Sequence, residues 1–224
     1  QGRYQNWLHN LFSIFLPILG LAAVISALVL TIVGTAKVGR NDVDIVDAGT
    51  GSLLFDPNRY NALWIVDAAL LPVVAISGLL SFVFSRLAMR YEKNLAKYNN
   101  DANTSQHTKR RASIVARWGV LIPCFLNELL QLALIGFFIA TVVVSAMRFE
   151  RWRTVKNFYV GCPPQTTTGQ CNGIGRGLSE ILAGTILSLC SVLPFLILNS
   201  MALSHLGSRE NKSDKFPAKQ ATAV

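Results

Sequence analysis

Charge is scarce in this chain, and its distribution says more than its amount. Of 224 residues, 15% are Asp, Glu, Lys or Arg, where a soluble domain carries about a quarter. Lys and Arg are absent from four long apolar windows and crowd the segments between them. That pattern excludes an ordinary globular core and points to membrane spans joined by loops. Histidine is rarer still: His9, His107 and His205 sit at span ends or in loops and form no ligand set, so no metal and no cofactor is expected. No C-x-x-C pair occurs, which excludes a quinone-linked thiol oxidoreductase of the four-helix kind. No nucleophile–base spacing stands out, so the chain is read as not an enzyme.

What is present is apolar. The chain is 51% hydrophobic, with a mean hydropathy of +0.40. Four spans are expected at about 8–34, 62–84, 118–147 and 178–206. Each exceeds the ~20 residues that cross ~30 Å of hydrocarbon at 1.5 Å per residue. Trp7, Tyr60, Trp64, Trp118 and Trp152 fall near span ends, as an interfacial aromatic belt would place them. The first span is too long for a signal-peptide core and is read as retained. The expected fold is therefore an all-α integral membrane protein, a bundle of four transmembrane helices with short outer loops. Residues 1–224 form one membrane domain in this reading, with 208–224 as a disordered cytosolic tail.

The net charge of +9 raises nucleic acid as a partner, but no zinc-finger, RRM or helix-turn-helix pattern accompanies it. The charge flanks spans, where it sets orientation instead. Thirteen Lys and Arg fall on the side of the termini and middle loop, and eight on the other. Both termini are thus expected in the cytosol, in a plasma or secretory-pathway membrane. Sequons at Asn103 and Asn211 would lie on that same side, so glycosylation at either would invert the orientation. Cys162 and Cys171 then lie in an outer loop, where an oxidising compartment lets them form a disulfide across Pro163 and Pro164. Cys124 and Cys190 fall inside spans as small apolar residues.

Acidic groups inside spans are costly and are functional candidates by default. Three occur: Asp67, Glu128 and Glu180. Glu128 lies near mid-span beside Asn127 and Gln131, and Cys124, Glu128 and Gln131 share one helix face at 100° per residue. Asp67 heads a stripe with Gly78, Ser81 and Ser85, and Glu180 one with Gly184 and Ser191. These stripes are expected to face one another, either as a packing seam or as a cation or proton site. In the first span Ser13, Gly20, Ala27 and Gly34 recur every seven residues, a small-residue helix-packing seam. Each span also holds one proline, Pro17, Pro72, Pro123 or Pro194.

Two loops invite further reading. Lys109, Arg110 and Arg111 precede Ser113, a pattern that attracts anionic lipid at roughly 1 kcal/mol per cation and that phosphorylation would oppose. The first loop holds Asp42, Asp44, Asp47 and Asp56 without the regular spacing of a calcium loop. Four spans, cytosolic termini and an outer disulfide resemble the general plan of MARVEL, claudin-like and related tetraspan proteins. The resemblance is one of topology: the claudin W…C…C motif and the tetraspanin Cys-Cys-Gly are absent. Two functions are carried forward. One is a non-enzymatic organiser, scaffold or auxiliary subunit that binds other membrane proteins or copies of itself. The other is an oligomeric cation or proton channel or transporter using Glu128, Asn127, Gln131 and Asp67.

Overall fold

The computed structural model describes residues 2–41, 43–47, 49–100 and 106–207. Side chains are described between 12 and 90 and between 118 and 206, except at 13, 42, 48 and 205. Four helices dominate: α1 (Gly2–Arg40), α2 (Asn61–Asn100), α3 (Gln106–Phe158) and α4 (Thr168–Gly207). All four are long and apolar enough to cross a membrane. Each contains one of the expected prolines.

The helices extend past the apolar windows because backbone hydrogen bonding continues where hydropathy stops. Lys37, Arg148 and the glycines from Gly173 to Gly177, expected in loops, are helical. The connection between α1 and α2 carries a feature the sequence reading had not expected. Strands β1 (Ile45–Val46) and β2 (Leu53–Phe55) pair antiparallel, Ile45 opposite Phe55 and Val46 opposite Leu53. Asp47 closes the turn: its carboxylate accepts from the Gly49 N–H and the Thr50 hydroxyl. Those two hydrogen bonds hold the Asp47 carboxyl below the usual carboxylate range.

The second connection is shorter. Tyr159, Val160 and Gly161 donate back to the last carbonyls of α3, with Val160 in the left-handed region at φ 51°. Thr167 and Gln170 then form a reciprocal capping box, 2.9 Å and 3.2 Å, that starts α4. Cys162 and Cys171 lie at disulfide distance across this connection, with Cα atoms 5.8 Å apart.

Contacts gather into two compact units. The first comprises 1–17, 77–131 and 195–224. In it Ala88, Cys124, Ala202 and Leu206 are buried together, and Phe195 lies over Gly78 so closely that a Cβ there would sit 2.5 Å from the ring.

The second unit comprises 18–76 and 132–194. Its core joins the hairpin to the helix ends through Ile45, Phe55, Trp64, Trp152, Ile174 and Leu178. Trp64 and Trp152 are therefore core residues, 0% and 2% exposed, rather than members of an interfacial belt; Trp118 remains 54% exposed. The seam of α1 finds its partner here. Gly20, Ala27 and Gly34 are buried, and Gly34 and Gly177 approach until a Cβ on Gly34 would stand 2.7 Å from the Gly177 carbonyl. Gly184 is packed in the same way against Thr31 and Ala27. Gly177, Gly184 and Ser191 repeat every seven residues, matching the α1 period as left-handed packing requires. The side chain of Ser13 lies outside those described. A Gly34→Val change would drive two methyl groups into the α4 backbone. We expect it to destabilise the protein by roughly 1–3 kcal/mol, seen as a lower melting temperature in detergent.

Candidate functional site

In the first unit, one cluster of amides and hydroxyls links three helices. Asn127 on α3 accepts from the Ser77 hydroxyl at 2.9 Å and donates to the Ser81 hydroxyl at 2.9 Å and the Ser77 carbonyl at 3.2 Å, both on α2. Its amide also approaches Asn199 Oδ1 on α4 at 3.3 Å. Gln131, one turn along α3, donates to the same two serine hydroxyls at 2.9 Å and 2.8 Å. Asn199 in turn donates to the Cys124 carbonyl at 2.8 Å, and the Cys124 thiol donates to Asn199 Oδ1. Asn127 is 5% exposed; Gln131 and Asn199 are fully buried. Such pairing satisfies most amide groups in an apolar surround that would otherwise leave them unpaired; the Gln131 Oε1 is buried without a partner.

Glu128 is placed differently. One residue from Asn127 it is turned 100° round the helix, so it is half-buried rather than central, and its carboxylate accepts from the Ser200 hydroxyl at 2.9 Å.

The second unit holds Asp67 and Glu180. Asp67 is fully buried on α2 and accepts one hydroxyl on each oxygen, from Thr141 on α3 and Ser188 on α4, both at 3.0 Å. Beside it Trp64 donates to the Ser145 hydroxyl at 3.1 Å. Glu180 pairs with Lys37 of α1, so the extension of α1 supplies a counter-charge that the apolar windows alone lack. Each of these residues has its own partners. Among the described residues no three His, Cys, Asp or Glu gather into a metal-binding group. Lys109, Arg110, Arg111 and Ser113 belong to α3, but their side chains lie outside those described, as do the sequons and the tail.

Sequence reasoning passed over two residues that the geometry makes central. Asn199 was overshadowed by the acidic groups, although an amide within an apolar stretch carries the same desolvation cost by kind. Arg148 was counted with the loop charges. It is 5% exposed, its guanidinium lies 4.3 Å from the Phe55 ring centroid and 5.2 Å from that of Tyr60, and it donates to the Asp56 carbonyl.

No protein family, curated protein or solved structure matches the chain. The geometry assigns the two helix-linking clusters different sensitivities from Glu128. Asn127→Leu should cost about 1–3 kcal/mol, because it strips partners from Ser77, Ser81 and Asn199. Glu128→Gln keeps an acceptor for Ser200 and should change stability by less than about 0.5 kcal/mol. Thermal unfolding of both variants in one detergent checks the contrast.

Proposed function

We propose that this chain is a non-enzymatic, multi-pass membrane protein that acts as an organiser, scaffold or auxiliary subunit, with both termini in the cytosol. The observation that carries this reading is the pairing of most polar groups in its apolar helices with one another, although Gln131 Oε1 and the Thr31 and Ser85 hydroxyls have no partner. Asn127, Gln131, Asn199, Ser77 and Ser81 bond to one another, and Asp67 accepts from Thr141 and Ser188. Side chains spent in this way hold helices together and leave little polarity for a reacting or permeating species. The outward faces are apolar instead, with Ile18, Ile25, Ile65, Ile76 and Leu126 each more than half exposed. Such faces suit lipid and the helices of partner membrane proteins, or a second copy of the chain. The cations before Ser113 would hold anionic lipid on the cytosolic side.

One observation favours the second reading, an oligomeric cation or proton pathway. Glu128 is half-buried at a cluster edge with Ser200 as its hydrogen-bond partner, so copies meeting at that face would bring acidic groups together.

Two measurements separate these readings. Native-membrane pull-down with copy counting should recover a stoichiometric complex with another membrane protein or with itself. Reconstituted liposomes should show no cation or proton flux above empty ones, for wild type and Glu128→Gln alike. Flux in the wild type that Glu128→Gln abolishes would replace the organiser reading with transport.

A further inference from the structure

Three arginines line one pocket at the end of the apolar stretch of α3. Arg59 comes from the turn before α2, and Arg148 and Arg151 come from successive turns of α3. Tyr60, Val144 and Met147 complete the lining, around a volume of about 130 Å³. That is several times the ~30 Å³ share of one water, room for a phosphate group. The strand β2 and the residue after it hold two of the arginines in place. Arg151 donates from Nε to the Leu54 carbonyl at 3.1 Å, and Arg148 donates from Nη2 to the Asp56 carbonyl. Arg59 stacks over Tyr60, 5.8 Å from its centroid.

Three like charges converge here, and the nearest carboxylate, Asp56, attracts Arg148 through space without forming an ion pair with it. The Asp56 carboxylate is turned onto the Asn58 backbone N–H at 2.8 Å. Glu150 pairs with Arg153 at 3.2 Å. Among the described residues, no carboxylate forms an ion pair with Arg59, Arg148 or Arg151. Arg148 is 95% buried in this wall, and its Nε, closed to solvent, has no acceptor within the protein. The Phe55 and Tyr60 rings and the Asp56 carbonyl offset part of the cost of burying this guanidinium, and an anion beside the three arginines would offset more. Arginine forks match phosphate oxygens, which accept several charge-assisted hydrogen bonds at once.

The other side of the pocket is apolar. Met147 is 68% exposed, and Val143 and Ile139 continue the same face of α3 at four-residue steps, 51% and 48% exposed. A cationic pocket opening onto an apolar stripe has the two-part chemistry of a phospholipid, with its phosphate among the arginines and an acyl chain along Met147, Val143 and Ile139.

We propose that Arg59, Arg148 and Arg151 form a binding site for a phosphate group, carried by a phospholipid headgroup. It is distinct in sequence from the cations before Ser113, and it rests on α3 being a membrane span.

The full chain in phosphate-free detergent tests this by thermal unfolding during titration with phosphatidylglycerol, with diacylglycerol and with inorganic phosphate. The double variant R59Q/R151Q alters two exposed side chains and leaves Arg148 in the core, so it should fold as the wild type does. Phosphatidylglycerol should raise the melting temperature saturably, diacylglycerol should not, and the double variant should weaken the response about tenfold or more. An arginine-dependent response to inorganic phosphate alone, at concentrations matching the lipid, would keep the phosphate site but assign it to the free anion. Equal responses in wild type and R59Q/R151Q, equal effects of diacylglycerol and phospholipid, or no response to either phosphate source would overturn the proposal.

Discussion

An amide inside an apolar surround must find its partner in the protein, and Asn127 shows what that constraint does here. Its side chain reaches α2 through Ser77 and Ser81 and α4 through Asn199. Three helices thereby acquire a common register. Hydrocarbon contacts between helices supply little specificity, since lipid tails are as apolar as leucine. The polar cluster provides what they lack, because sliding one helix by a turn would leave amides and hydroxyls unpaired. Asp67 does the same in the other unit, joining α2 to Thr141 and Ser188.

Close backbone approach works beside this pairing. The α1 seam sits on α4 because Gly34, Gly177 and Gly184 leave space that any side chain would fill. The two mechanisms differ in what they tolerate. A seam of glycines fails by overpacking, whereas an amide cluster fails by leaving polar groups unpaired. The hairpin and the ends of α2 and α3 add a third element, a soluble-type core around Trp64, Phe55 and Trp152.

Much of this was legible in the sequence, and the failures have physical causes. The four apolar helices, the cysteine pair, the α1 seam, and the polarity of Asn127, Gln131 and Asp67 all follow from hydropathy, spacing and desolvation cost. Glu128 stands out in the sequence because charge is the costlier group to bury, yet one residue is a 100° turn, and only packing decides which side faces inward. The helices run past the apolar windows at Lys37 and Arg148 because hydropathy reports the solvent around a helix and not its hydrogen bonds. Trp64 and Trp152 were read as belt residues, since composition cannot distinguish a ring facing lipid from one facing the hairpin. The arginine pocket joins residue 59 to residues 148 and 151, a proximity that no local pattern encodes.

The central claim is that buried polar groups here hold the apolar helices to one another. A double-mutant cycle on Asn127→Ala and Asn199→Ala, read as unfolding free energy in one detergent, tests it most directly. Direct pairing between α3 and α4 predicts a coupling energy of about 0.5–2 kcal/mol between the two changes. Additive effects, within about 0.3 kcal/mol, would contradict the account and leave the two amides as independent polar groups.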